Sequence, residues 1–315
     1  MNNQQGLDAR VASLVGDHLE TDTTLAVVVQ HHGKVVAEAY ADGVTADSTL
    51  ISWSMAKSIT HALVGMAQMG GLLDVGAPTG LAQWQNDDRK HITLQHLLEM
   101  RSGLAWIEDY VEGNESDVIE MLFGAGKDNH AAYAMKQQLS NTPGSEWYYS
   151  SGTTNIISRL LGDALGDRNG SHDKTHAFMQ TRLFEAIGMK TATAQFDPAG
   201  TFVGSSYVYA TARDFAKFGE LYLRDGWCEG KRILPSGWVD HGRAQTVIDD
   251  ETGQGYGAHW WTQPGEPSSL VASGYEGQQI IVLPERDLVI VRLGKTISEK
   301  RGAVRAGLYE IAQLF

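Results

Sequence analysis

The sequence predicts an α+β fold, with an antiparallel sheet formed from both ends of the chain, flanked by terminal helices and interrupted by a mostly helical insertion. Three observations carry that prediction. Runs rich in β-branched residues fall before residue 41 and after residue 255, stripes at helical spacing fill the stretch between, and no repeat or Pro- or Ser-rich linker divides the chain. A chain of 315 residues can bury the core of one large domain or of two interleaved subdomains. The predicted division is residues 1–52 with 200–315 for the sheet and 53–199 for the helical part.

Taken in order, Leu7, Val11, Leu14, Val15 and Leu19 share a stripe that predicts a helix over residues 7–19. The period then drops to two. Leu25–His31 and Lys34–Tyr40 read as strands joined by the turn His32-Gly33. Met55, Ile59, Ala62, Leu63, Met66 and Met69 recur at three- and four-residue intervals, predicting a helix that Gly70-Gly71 stops. Thr93 reads as the N-cap of a helix through Leu94, Leu97, Leu98 and Met100, ended by Ser102-Gly103. Residues 105–150 are irregular and rich in Gly, Asp, Glu, Trp and Tyr, and a loop that long in a compact protein is usually functional. Helical stripes resume over Asn155–Leu165 and Thr211–Leu223. Tyr256–Trp261, Gln278–Leu283 and Leu288–Leu293 read as strands, the last two joined by a turn at Pro284–Asp287, and residues 299–315 close as a helix.

Composition removes several function classes. A net charge of −13, with scattered Lys and Arg, argues against nucleic-acid and anionic-membrane partners. One cysteine, Cys228, excludes an internal disulfide and a cysteine-cluster metal site. The N-terminus lacks the basic start and apolar run of a signal peptide, and no apolar stretch reaches membrane-span length, which predicts a cytoplasmic protein. No cofactor or metal is expected. His172 and His176 have helix-ligand spacing but no third partner nearby, and Gly124-Ala125-Gly126-Lys127 fails the spacing of a phosphate-binding loop. No Gly-x-Ser-x-Gly elbow occurs.

Chemistry concentrates in Ser54-Met55-Ala56-Lys57 at the start of the 55–69 helix. That spacing puts serine and lysine on one face, one turn apart, with Ser54 in the first turn, where free backbone N–H groups can hold an oxyanion. Burial among Trp53, Met55 and their neighbours would depress the lysine's pKa until it could act as a base. A second copy, Ser171-His172-Asp173-Lys174, lies in a polar segment and reads as a solvated loop. Tyr149 stands just before the 155–165 helix, where its phenol could shuttle a proton if a cation such as Lys57 stabilised the phenolate. In Ser273-Gly274-Tyr275-Glu276-Gly277-Gln278 the glycines permit close approach to a strand edge, and the Gln278 N–H could join that of Ser54 as an oxyanion donor.

Together these segments resemble the serine β-lactamase and penicillin-binding-protein family, and more specifically its class C-like branch, which includes family VIII carboxylesterases and 6-aminohexanoate-dimer hydrolases. Ile92–Leu104, Tyr149-Ser150-Ser151-Gly152 and Tyr207–Asp214 add to the likeness, which spans about residues 25–293. The resemblance implies a β-lactamase/transpeptidase-like fold with its site in the cleft between the two parts. It implies Ser54 as nucleophile of an acyl-enzyme, Lys57 as base or electrostatic partner, Tyr149 as proton relay, and the N–H groups of Ser54 and Gln278 as oxyanion hole. Which of Lys57 and Tyr149 takes the first proton stays open. A small ester or amide is the implied partner.

Two departures set this chain apart. Ser151 stands where penicillin-recognising members have an asparagine, and Tyr275-Glu276-Gly277 matches their Lys-Thr-Gly. Lys295-Thr296-Ile297 lacks the glycine and reads as following a strand. Weak or absent β-lactam turnover is therefore expected. Ser151, Tyr275, Glu276, Gly277, Tyr207 and Trp106 are the predicted substrate contacts, with Glu276 a candidate for a substrate ammonium. A carboxylesterase is the leading reading, beside an amide hydrolase of the aminohexanoate or D-amino acid type, a weak β-lactamase, and a catalytically silent binder on the same scaffold.

Overall fold

The computed structural model describes residues 3–19, 22–111, 113–250 and 252–315. The first predicted helix is two elements. Helix α1 (Asn3–Ser13) stops before Gly16, whose φ of +100° suits glycine alone, and β1 (Gly16–Leu19) pairs as an edge strand with β2 (Asp22–His31). A tight hairpin with His32 and Gly33 at positive φ leads from β2 to β3 (Lys34–Tyr40).

After β4 (Leu50–Ile51) comes the predicted α2 (Met55–Met69). Helix α3 (Leu94–Leu98) has the Thr93 cap, in a reciprocal box with His96, but ends at Glu99 because Met100 takes φ +58°. The stretch 105–150 is not all loop. It holds α4 (Asp117–Phe123) and α5 (His130–Met135), capped by Ser116 and Asn129, and helices this short cannot display a stripe. Helix α6 (Ser151–Leu165) starts four residues earlier than its apolar stripe, capped by Ser150. Ser171-His172-Asp173-Lys174 opens α7 (Asp173–Phe178) rather than lying in a loop, with Ser171 Oγ accepting from Asp173 N. His172 stacks on Phe196 at 4.2 Å.

Strands β5 (Thr193–Ala194) and β6 (Val208–Ala210) form a small sheet with β4, and Thr211 caps α8 (Ala212–Leu223). A two-stranded ribbon, β7 (Trp227–Cys228) and β8 (Lys231–Arg232), precedes α9 (Trp238–Arg243) and β9 (Val247–Ile248). The predicted strand 256–261 is instead a hairpin of β10 (Gly255–Tyr256) and β11 (Trp261–Gln263), bent where His259 takes φ +59°. Next comes β12 (Glu266–Gly274), unforeseen because Pro267-Ser268-Ser269 reads as loop. Strand β13 (Gln278–Leu283) follows the 275–277 turn, and β14 (Leu288–Thr296) runs past the predicted end, so Lys295 and Thr296 lie within it. Helix α10 (Arg301–Ala312) closes the chain.

Strands β2, β14, β13, β12, β11, β10 and β9 lie in that order, all antiparallel, with β1 and β3 sharing the outer edge of β2. Alternation sorts their side chains onto two faces. Val27, Val29, Ile281 and Ile290 pack with Leu7 and Val11 of α1 and Leu308 and Ile311 of α10. Val28, Ile280, Val289 and Val291 face the core that contains α2 and α8. Among the described residues no helix is long and apolar enough to cross a membrane.

Candidate active site

The end of β12 meets the start of α2, and that junction sets the site. Ser52 is pinned to β6, its N–H donating to Val208 O at 2.8 Å and its Oγ accepting from Val208 N at 3.1 Å. Trp53 then takes φ +43°, a costly conformation for a bulky residue, and is braced by Tyr207 and Tyr275 at ring distances of 5.8 and 5.7 Å. Ser54 follows as the N-cap of α2. A Cβ on Gly274 would fall 2.5 Å from Ser52 O and 3.2 Å from Ser54 N, so a glycine is required for β12 to press its last peptide against this turn. In the sequence that glycine suggested room for a ligand; in the fold its neighbour is the serine's own backbone.

Three distant segments converge on Ser54. Lys57 Nζ donates to Ser54 Oγ, Ser151 Oγ and Ser205 O, each at 3.0 Å. It lies 4.8 Å from the centroid of the Tyr149 ring, and Tyr149 shares the cleft wall with Ser54, whose side chain acts on the phenol. Burial lowers the lysine's pKa to about 8 against a smaller upward pull from Glu108. Tyr149 moves the other way: burial, then the Glu108 charge, raises it well above the ordinary phenol range, and the Ser54 contact offsets only part. Near neutral pH the pair is therefore a readily deprotonated amine and a firmly protonated phenol.

Ser54 and Tyr149 open onto a cleft of about 200 Å³ lined also by Trp261, Tyr275, Arg301 and Arg305. Trp261 stacks on the Tyr149 ring at 5.9 Å. Gln254 Nε2, Gln279 Oε1 and Arg305 Nε are buried without a hydrogen-bond partner among the described residues, and Gln254, Gln279 and Arg305 line this cleft.

The predicted contacts sort unequally. Tyr275 and Gly277 line the cleft. Ser151 does not reach it: the residue is 1% exposed, and its hydroxyl is taken up between Lys57 and Glu108. Trp106 is also buried, its indole donating to Glu108 and its ring packed on Gly152. Tyr207 is a brace for Trp53, and Glu276 accepts from Trp53 Nε1 at 3.1 Å. Gln278 is 1% exposed, its amide side chain bonded to Tyr275 O and Gly294 O, whereas its cross-strand partner Gly274 is the residue against Ser54. Sequence reasoning missed Glu108, whose only signal was its place in an irregular, aromatic-rich stretch.

The sequence matches the Beta-lactamase family over residues 13–312. The chain belongs to that family. It is 26% identical over 307 residues to a 6-aminohexanoate-dimer hydrolase from Paenarthrobacter ureafaciens, covering 91% of this chain and 77% of that one. An octameric penicillin-binding protein homologue from Pyrococcus abyssi superposes with a TM-score of 0.71 at 16% identity, covering 100% of this chain and 77% of the other. A class C beta-lactamase does so with a TM-score of 0.69 at 13% identity, covering 98% and 97%. At those identities the structural likenesses speak to the fold, which is α+β and of the β-lactamase/transpeptidase type. Membership makes this β-lactamase-related chain a serine hydrolase acting on carboxylic ester or amide bonds.

Proposed function

We propose that the protein is a carboxylesterase working through an acyl-enzyme on Ser54, and the observation that carries this is the Lys57 amine, 3.0 Å from the Ser54 hydroxyl and 4.8 Å from the centre of the Tyr149 ring at the same cleft. Neutral Lys57 takes the Ser54 proton as Oγ bonds to the substrate carbonyl carbon. The oxyanion is held by the N–H of Ser54 and by a second backbone N–H from the segment after β12, whose last residue Gly274 lies against Ser54 N, a contribution on the order of 3 kcal/mol per donor. Tyr149 passes its proton to the leaving oxygen, and its transient phenolate lies beside the new Lys57 ammonium. In the second half, water gives a proton to Tyr149 and its oxygen to the acyl carbon, while Lys57 returns the first proton to Ser54. Ester plus water thus becomes acid plus alcohol with both groups restored.

The ester reading is favoured by Ser151, which is committed to internal bonds and leaves no side-chain amide there to pair with a substrate amide. One observation favours a second reading, an amide hydrolase. The Gln279 acceptor, the Gln254 donor and Arg305 Nε, which have no partner among the described residues, complement an N–H, a carbonyl and a carboxylate. An aminohexanoate-type substrate carries all three.

A fluorophosphonate probe should label Ser54 in the wild type and leave Ser54→Ala unmodified; an unlabelled wild type means the scaffold only binds. Hydrolysis of a short-chain p-nitrophenyl ester, an aminohexanoate dimer, a D-amino acid amide and nitrocefin then ranks the substrate classes. The ester should lead and nitrocefin should trail, and efficient penicillin or nitrocefin turnover would sink the reading of Ser151.

A further inference from the structure

Glu108 meets the site from the segment between α3 and α4, and no part of the reaction proposed above employs it. Its Oε1 accepts from Ser151 Oγ at 2.5 Å and Tyr110 OH at 2.8 Å, and its Oε2 accepts from Trp106 Nε1 at 2.6 Å and Ser151 N at 2.9 Å. Four donors on two oxygens fill the lone pairs of a carboxylate. The Ser151 hydroxyl owns one hydrogen, and Glu108 holds it. Ser151 can therefore only accept from Lys57.

That constraint gives the lysine a direction. Ammonium Lys57 donates to three acceptors: Ser151 Oγ, Ser205 O and Ser54 Oγ. When it loses a proton, two N–H groups and one lone pair remain. The Ser205 carbonyl has no hydrogen to offer, and the Ser151 hydrogen is committed. The lone pair can then face only Ser54, the one contact of the three with a hydroxyl hydrogen that Glu108 does not hold. We infer that Glu108 is a positioning residue that acts through Ser151 to aim the neutral Lys57 lone pair at the Ser54 hydroxyl. The inference rests on the acyl-enzyme reading for its catalytic consequence, but its physical content, the coupling of Glu108 to Lys57, does not need turnover to be observed.

The groups facing Lys57 are Glu108 from the segment before α4, Tyr149 from the segment before α6, and His259 from the β10–β11 turn, with Tyr110 behind Glu108 and against Ser151. Burial holds His259 far below the ordinary histidine range, and burial holds Tyr110 far above the phenol range, so neither changes charge near pH 8. Glu108 is then the charge whose removal should move the lysine.

The substitution that tests this is Glu108→Gln. Its carbonyl oxygen should stay with Trp106 Nε1 and Ser151 N, which places the amide NH2 against Ser151 Oγ. The serine hydrogen is then free to turn to the lysine. Both the lost charge and the reversed bond favour the neutral amine, so the Lys57 pKa should fall by about one unit. A 13Cε-lysine NMR titration, with the Lys57 signal assigned by its loss in Lys57→Arg, reads this without substrate. In kinetics, kcat should drop on the order of 100-fold with KM little changed, while the acid limb of the rate profile moves to lower pH. Ser151→Ala should cost a similar factor, and the double variant should be no slower than either single one. Should Glu108→Gln not fold, Glu108→Asp, which keeps the charge, should restore the wild-type titration while Ser151→Ala still loses rate. An unmoved Lys57 titration in Glu108→Gln, or fully additive losses in the double variant, overturns the inference. A protein that shows the titration shift but is not labelled by a fluorophosphonate would retain the coupling and lose the hydrolase reading.

Discussion

In the proposed reaction Ser54 becomes a nucleophile only when its proton has somewhere to go, and the groups around it differ in how readily they accept one. With the Lys57 pKa lowered to about 8 and that of Tyr149 raised, kcat/KM is expected to climb as pH passes 8 and to plateau above it; a profile flat from pH 6 to 9 would count against Lys57 as the base. Lys57→Arg should remove the activity, and Tyr149→Phe should reduce kcat on the order of 1,000-fold in a steady-state ester assay. The same shift appears in stability. The amine titrates at 10.5 in the unfolded chain and near 8 in the fold, so the unfolded state binds more protons between those values and stability rises with pH across that window. The burden below pH 8 is on the order of 3 kcal/mol. Urea unfolding at pH 7.5 and pH 10 should show the wild type gaining on Lys57→Met, whereas parallel behaviour would contradict it. That Ser54, Lys57 and Tyr149 meet was expected from sequence, the first two from their spacing on one helix and Tyr149 from the family resemblance. Glu108 was not, since its meaning lies in meeting Ser151, 43 positions away.

Elements with long periodic faces, such as α2, α6, α8, β2 and β14, declared themselves. Those missed were short or carried contrary local signals. Helices α4 and α5 span under two turns, β12 begins with Pro267 and two serines, and the 256–261 run bends at His259. The β12 end also shows how an element can hold a site by shape alone. Gly274→Ala should place a methyl group against Ser52 O, displacing the Ser54 turn. Its expected effect is a loss of about 2 kcal/mol or more in unfolding free energy, with near-complete loss of fluorophosphonate labelling. Full labelling of a stable Gly274→Ala protein would show that β12 does not set the nucleophile. The first turn of α6 was hidden for a related reason: Ser151 bonds Lys57, Gly152 lies against the Trp106 ring and Thr154 bonds His259, so none of the three adds to an apolar stripe.

Across the molecule the sheet divides two tasks between its faces. One carries α2 and α8 and leads to the cleft, and the other is closed by α1 and α10. Ile290→Ala, on the closed face, should lower stability by about 2–5 kcal/mol in denaturant titrations yet leave kcat/KM of the folded enzyme close to wild type. A matching loss of kcat/KM would mean that the two faces are mechanically coupled. The sequence by itself determined the class of fold, the helix that presents Ser54 with Lys57, the hairpins at both ends and the residue types of the chemistry, because periodicity, turn residues and motif spacing are local properties. Only the tertiary structure decided that Gly274 lies against the Ser54 backbone, that Ser151 faces Glu108 rather than the cleft, and that the Lys57 amine is buried deeply enough for its pKa to fall, because burial and the direction of a hydrogen bond are set by what distant segments bring to the same point.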